Sequence, residues 1–185
     1  ILGLILVSCS GGNDPIILTD TKPKIEFKDF TEKISYCIGL DHAFAAYTIY
    51  ASQENKLKFD MTQIESGMVD YLSGNELRIP FDSRDSIFDL YLLDDGSVNE
   101  QAVSKIDASY AIGMEEAFVL VSSLVGRGID QAMDVPMLVT GVRDGIQNSN
   151  PALSVMEART EVAKYYSELN KENGILFLEE NAKRD

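Results

Sequence analysis

The chain has 185 residues, of which 45% are hydrophobic and 25% charged, so it has room for one large or two small globular domains and is not a disordered chain. Its formal net charge of −14 repels phosphate backbones, and we expect no nucleic-acid partner. Two cysteines exclude a disulfide framework and one histidine excludes a His-rich metal site, so we expect no metal and no other cofactor; the absence of Trp and the presence of only five Pro favour helices.

Residues 1–9 are typical of a processing signal. The apolar run from Ile1 to Val7 is far shorter than the ~20 residues that a helix needs to span a bilayer, but it suits the core of a secretory signal. Leu6-Val7-Ser8-Cys9 resembles the bacterial lipoprotein box, in which the cysteine is acylated. We therefore expect a lipid-anchored protein of the bacterial cell envelope, attached through Cys9 on the periplasmic side of a membrane or at the cell surface. The alternative is a buried apolar strand that ends in an unrelated cysteine.

The segment between this signal and the first predicted helix is a predicted linker. Residues 10–28 contain Pro15 and Pro23, mixed charge and no helical period. A helix is predicted over residues 29–53, because apolar side chains recur there at helical spacing without a proline. Cys37 lies in that apolar pattern, so we expect a buried and unreactive thiol.

Two further helices are predicted in the first half of the chain. Asp60 has the position of an N-cap, and an apolar face follows it. Asp82 or Ser83 is predicted to start a short third helix that stops at Gly96.

The second half of the chain predicts three more helices. Residues 97–100 read Ser-x-x-Glu, a capping box that predicts a helix start there and an end near Gly126. Asp134 is the next predicted N-cap. Residues 154–157 form another capping box, and the last helix is expected to run to about Lys183.

The chain repeats itself, because the residue pattern at position 35 returns at position 109, an offset of 74 residues. Ser35-Tyr36-Cys37-Ile38-Gly39-Leu40 becomes Ser109-Tyr110-Ala111-Ile112-Gly113-Met114. The same offset relates four further pairs, namely Ala43-Phe44 and Ala117-Phe118, Asp60 and Asp134, Gly67 and Gly141, and Asp70 and Asp144. One register kept over so long a stretch indicates internal duplication. We predict a first copy over residues 29–96 and a second over 97–185.

These motifs resemble the N-terminal domain of FKBP-type peptidyl-prolyl cis-trans isomerases of the macrophage-infectivity-potentiator kind. The resemblance rests on Ser-Tyr-x-Ile-Gly at Ser35 and Ser109 and on Asp-x6-Gly-x2-Asp over 60–70 and 134–144. Its most specific part is Asn-x-Glu-x-Gly-x2-Phe-Leu-x2-Asn over 170–181. The family has one copy where this chain has two. The resemblance implies an all-α fold of two tandem three-helix modules, entwined, with a long C-terminal stalk helix.

The resemblance also implies a function. It is that of the dimerisation and client-binding region of an exported isomerase and chaperone of protein folding. The implied partners are unfolded or proline-containing client proteins, the membrane through the lipid anchor, and the chain itself, as a homodimer or as an intramolecular pseudo-dimer. The family's catalytic domain has an aromatic pocket with a Trp, and this chain contains no Trp. We therefore expect no catalytic residue and no isomerase activity in this chain alone. The alternatives are a non-catalytic lipid-anchored scaffold or binding protein and an unrelated helical-repeat lipoprotein.

The matched glycines are the candidate site residues, because glycine inside a helix destabilises it and needs another reason. We predict close helix crossings at the interface, with two tyrosines packed beside them; a ligand pocket is the alternative. The predicted interface residues are Tyr36, Gly39, Gly67, Tyr110, Gly113 and Gly141. His42 corresponds to Glu116 in the second copy, which favours a surface or groove residue over a catalytic base. The acidic pairs lack the spacing of a calcium loop and are expected to be solvated at helix faces or ends; they are Asp94-Asp95, Glu115-Glu116 and Glu179-Glu180.

Overall fold

The computed structural model describes residues 25–57, 59–148 and 150–182, and this part of the chain is all-α, as predicted. Its helices are α1 (Phe30–Leu57), α2 (Met61–Ser73), α3 (Arg84–Tyr91), α4 (Lys105–Gly126), α5 (Val135–Gln147) and α6 (Val155–Ala182). Two 3₁₀ turns lie at Phe81–Ser83 and Asp130–Ala132. The predicted signal, Cys9 and most of the predicted linker lie outside the described residues.

Each of the two central helix pairs joins one helix from each half of the chain. The most extensive contacts are between α1 and α5 and between α2 and α4. The helix that ends each half packs on the first helix of the opposite half: α3 lies on α4, and α6 lies on α1. Contacts between α2 and α5 join the two pairs into one body.

The core between these helices is apolar and closely packed. Tyr36, Leu40, Ile64, Met68 and Val142 are among the residues fully enclosed in it. Burying such side chains provides most of the driving force for folding, roughly 1.5–3 kcal/mol for a large aliphatic residue.

Cys37 also lies inside this core and is fully buried. Burial raises the pKa of its thiol to about 11, because the charged thiolate is poorly solvated there. The thiol is therefore protonated at neutral pH, and an unreactive Cys37 is what the sequence predicts.

One described helix, α4, is long and apolar enough to cross a bilayer by length and composition. More than half of its apolar window is buried against the rest of the protein. The central helix of a globular domain has the same length and composition, and α4 occupies that position between α2 and α3.

Three of the predicted helix starts are confirmed by their hydrogen bonds. The Asp60 carboxylate accepts from the backbone N–H groups of Thr62 at 3.0 Å and Gln63 at 3.3 Å. Asp134 accepts from Met137 N–H at 2.9 Å. At the start of α6, the Ser154 and Glu157 side chains bond reciprocally to each other's backbone N–H.

The predicted start of α4 at Ser97 is wrong. The Ser97 N–H and hydroxyl both donate to the Asp95 carboxylate, at 2.9 and 2.6 Å, and so complete a tight turn. Val98 then forms an antiparallel bridge with Leu92, which holds this segment extended.

Helix α4 instead begins after Ser104. The Ser104 hydroxyl accepts from Asp107 N–H at 3.1 Å and donates to the Asp107 carboxylate at 2.7 Å. Ser-x-x-Asp at 104–107 thus starts the helix that Ser-x-x-Glu at 97–100 was predicted to start. The third helix, α3, likewise ends at Tyr91 rather than Gly96, because Leu92 is already extended and pairs with Val98. Gly96, with a φ of +78°, lies in the turn between these two residues.

We expect Ser104→Ala to lower the free energy of unfolding by about 1 kcal/mol, since it removes the N-cap of a core helix. Ser97→Ala is the matched control, because it removes the same hydroxyl from an exposed turn and is expected to change stability by less than about half as much. Urea denaturation followed by circular dichroism measures both. A larger loss for Ser97→Ala would contradict the observed start of α4.

Candidate functional site

The first of two close helix crossings lies between α1 and α5. A methyl group added at Gly39 would overlap the carbonyl oxygen of Leu138, and one at Gly141 would overlap the carbonyl oxygen of Tyr36. No side chain larger than hydrogen fits at either position without separating the two backbones. The crossing therefore depends on a glycine in each helix.

The second crossing, between α2 and α4, has the same arrangement. A methyl group at Gly67 would overlap the carbonyl oxygen of Tyr110, and one at Gly113 would overlap that of Ile64. Gly113 is the repeat counterpart of Gly39, and Gly67 that of Gly141. The four predicted interface glycines thus lie at helix crossings within one chain, and each crossing joins positions from both repeats.

The carbonyl groups of the two predicted interface tyrosines meet two of these glycines, Tyr36 at Gly141 and Tyr110 at Gly67. The tyrosine side chains reach across the crossings. The Tyr36 hydroxyl donates to the Asp144 carboxylate at 2.8 Å and accepts from Ala152 N–H at 2.8 Å. Burial raises the pKa of the Tyr36 phenol above its ordinary value, and its bond to Asp144 adds to the rise. The hydroxyl therefore remains a donor at physiological pH.

Tyr110 makes the reciprocal contacts. Its hydroxyl donates to the Asp70 carboxylate at 3.0 Å and accepts from Arg78 N–H at 3.2 Å. Asp70 is the repeat counterpart of Asp144, and position 78 lies 74 residues before Ala152. The guanidinium of Arg78 also lies over the Tyr110 ring, 4.2 Å from its centroid.

A pair of serine hydroxyls completes the reciprocal set. The Ser35 oxygen accepts from Asp134 N–H at 2.9 Å, and the Ser109 oxygen accepts from Asp60 N–H at 2.8 Å. Asp134 and Asp60 are the N-caps of α5 and α2. Each half of the chain therefore satisfies a backbone donor at a helix start of the other half.

A polar cluster lies between α1 and α4. His42 Nε2 is 3.0 Å from the Glu116 carbonyl oxygen and 3.3 Å from its carboxylate, and the Tyr50 hydroxyl donates to that carboxylate at 2.6 Å. Burial alone raises the pKa of the Glu116 carboxyl, but the bonds from His42 and Tyr50 outweigh it, so the pKa lies below its ordinary value. His42 and Glu116 are repeat counterparts and meet each other. The expectation that Glu116 is solvated is wrong, because its side chain is only 18% exposed between the two helices.

Two grooves flank this cluster, one beside each third helix. The α3 groove, of about 340 Å³, is lined by Tyr50, Arg84, Asp85, Phe88, Asp89, Ala111, Ile112 and Glu115. The α6 groove, of about 320 Å³, has a lining that includes Ile38, Asp41, His42, Leu120, Arg159 and Tyr166. His42 thus lies in a groove, one of the two positions that the sequence indicates for it.

An arginine–carboxylate pair fixes the third helix at each groove. Arg84 of α3 pairs with Glu115 of α4, and Arg159 of α6 pairs with Asp41 of α1 at 2.6 Å. Asp41 and Glu115 are repeat counterparts. The two grooves therefore have the same construction, with different third helices.

No group of three or more potential metal-ligating side chains occurs in the part of the chain that the structure describes. Comparison of the chain with protein-family models, with curated proteins and with solved structures finds no match.

Sequence reasoning missed one glycine of the α1–α5 crossing. A methyl group at Gly145 would lie 2.7 Å from the carbonyl oxygen of Leu40 and 2.8 Å from the Ala43 methyl group. Its repeat counterpart is Tyr71, so the repeat did not indicate it. Its spacing of four residues from Gly141, on the same helix face, was the available signal.

We expect Gly39→Ala and Gly113→Ala each to destabilise the protein by about 1–3 kcal/mol, because the added methyl group pushes two backbones apart. Gly174→Ala is the matched control, since nothing surrounds that position in α6, and it is expected to stabilise the helix by up to about 1 kcal/mol. Denaturant unfolding measures the three variants. Equal effects at all three positions would contradict close crossings.

The lowered pKa of Glu116 predicts a pH dependence. The stabilisation is present above the carboxyl's unfolded pKa and is lost as the pH falls through its folded pKa. We expect Glu116→Gln to lower the thermal midpoint at neutral pH, and the difference from the natural protein to shrink in acid. Asp94→Asn, which removes an exposed carboxylate, serves as control and should show no such trend. A difference that grows in acid would contradict the assignment.

Proposed function

We propose that this chain is the client-binding helical region of an exported, lipid-anchored FKBP-type peptidyl-prolyl isomerase, and that it acts in protein folding. It comprises two tandem three-helix modules, over residues 29–96 and 97–185, that entwine within one polypeptide as a pseudo-dimer. The single observation that carries the proposal is the reciprocity of the two crossings. Each crossing uses the same glycine, tyrosine, serine and aspartate positions, exchanged between the halves.

Entwining is supported by where each module finds its partners. Within a module, α1 and α2 contact each other little, whereas α1 packs on α5 and α2 on α4. Such exchange is typical of two protomers that fold around each other. Here one chain supplies both halves, so the pairing is independent of protein concentration.

Client binding is supported by the grooves and by the last helix. Both grooves are open and lined by apolar and polar side chains, as in sites that accept a side chain of a partner. Residues 170–176 of α6 are all exposed, which fits a stalk that extends beyond the helical body. Its exposed Ile175 and Leu176 offer further apolar contact.

Membrane attachment through Cys9 is the remaining part of the proposal. A lipid chain stabilises attachment by roughly 0.8 kcal/mol for each buried methylene group, so multiple acylation would hold the protein firmly. Labelling with a radioactive fatty acid, with Cys9→Ser as control, tests this part separately.

The proposed function is tested by suppression of client aggregation. We expect the chain that starts after Cys9 to suppress aggregation of a chemically unfolded protein in a light-scattering assay, while a stable acidic globular protein of similar size does not. A prolyl-isomerisation assay on a short peptide should show no acceleration by this chain. If the client aggregates as fast with this chain as without it, client binding is contradicted and a lipid-anchored scaffold is favoured.

The oligomeric state provides an independent test. We expect static light scattering after size exclusion to give a monomer mass across a wide concentration range, because the partner positions at both crossings are occupied within one chain. A dimer mass would contradict the intramolecular pseudo-dimer.

A further inference from the structure

We propose that the α3 groove binds polypeptide segments in which a basic side chain lies next to an apolar one. This inference rests on the proposed function, because it names the class of client segment that one of the two grooves prefers. It follows from three properties of the groove, namely its apolar floor, its unbalanced acidic rim and its contrast with the α6 groove.

The floor of the α3 groove is apolar. Its most buried lining residues are Ala111 and Ile112 of α4, and Phe88 of α3 and the Tyr50 ring line it as well. The Tyr50 hydroxyl is already bonded to Glu116, so this residue offers the groove mainly its ring. A volume of about 340 Å³ lies at the lower end of ligand pockets, a size that suits side chains rather than a large cofactor.

The rim of the groove is acidic. Among the residues that the structure describes, its lining has three carboxylates and one guanidinium, that of Arg84. Arg84 pairs closely with Glu115, donates to the Phe81 carbonyl oxygen at 3.1 Å and lies 3.9 Å from the Phe81 ring centroid. Its ion pair with Asp85 is longer, with 3.7 Å between the Arg84 Nε and a carboxylate oxygen of Asp85. The charge of Arg84 is therefore largely taken by Glu115, and the groove retains a net negative charge.

Asp85 and Asp89 carry that excess charge. They lie one helical turn apart on α3, and both are exposed. Residues four apart lie on one helix face, so both carboxylates border the same side of the groove. A lysine or arginine of an extended segment would reach these carboxylates while its apolar neighbour contacts the floor.

The described residues that line the α6 groove carry no such excess of negative charge. Among its lining residues, Asp41 and Arg159 form a balanced pair, and His42 contacts Glu116. Among the described residues that line it, none forms a counterpart of the exposed carboxylate pair on α3. Two grooves of the same construction therefore differ in charge, and the net charge of −14 attracts basic segments to the whole surface.

Fluorescence anisotropy with short labelled peptides tests the proposal. The peptides share one apolar template and carry Lys, Gln or Glu at the same positions. We expect the Lys peptide to bind most tightly and the Glu peptide most weakly, and the affinity for the Lys peptide to fall as salt is added, because exposed charges are screened within about 8 Å at physiological ionic strength.

The decisive variant is Asp85→Asn/Asp89→Asn. We expect this variant to weaken the affinity for the Lys peptide by about five- to tenfold, which is the effect of losing two exposed ion pairs. The affinity for the Gln peptide should not change. The control Glu168→Gln/Glu172→Gln removes two exposed carboxylates, also four residues apart, from α6. Equal weakening by both variants would show a general charge effect and would overturn the proposal.

A second variant tests the charge preference in a protein that is expected to stay folded. Asp89→Lys puts a cation in the last turn of α3, where the helix dipole favours it, so the helix is expected to remain stable. It should reverse the preference towards the Glu peptide; an unchanged preference would overturn the proposal. Aggregation suppression separates this inference from the proposed function: variants that still suppress aggregation but show no charge preference overturn only the inference.

Discussion

Close contact between helix backbones is the constraint on which the rest of this structure depends. At both crossings a glycine faces a carbonyl oxygen of the opposing helix with no room for a methyl group. This proximity brings Tyr36 within reach of Asp144, and Tyr110 within reach of Asp70. It also places a serine hydroxyl at the start of the opposing helix. The buried polar groups are therefore satisfied only while the backbones stay close, which couples packing to hydrogen bonding.

The helices themselves followed well from the sequence, because caps and apolar spacing are local signals. Asp60, Asp134 and Ser154 begin helices as expected. The predicted start of α4 was wrong although the segment that begins at Ser97 has the residue types of a capping box. A turn and a bridge to Leu92 hold that segment in a different conformation. Such pairing is non-local and leaves no mark at the capping position.

The residues of the candidate site were harder to predict from the sequence than the helices were. The repeated residue pattern indicated the paired glycines and tyrosines, since a pattern that returns at one offset marks positions that need one residue type twice. It could not indicate Gly145, which has a tyrosine as its counterpart, or the two grooves, which are formed by third helices that differ between the halves. Features that break the repeat depend on which side chains meet in three dimensions, and the offset of identical residues does not contain that information.

The presence of both halves in one polypeptide has a consequence for how the molecule can change over generations. Two identical protomers share every substitution, so their paired surfaces remain alike. In this chain a mutation that alters Asp89 leaves the opposite surface around Arg159 as it was. Each side is thus free to specialise on its own, while the shared glycine contacts at the centre hold both halves to one backbone geometry.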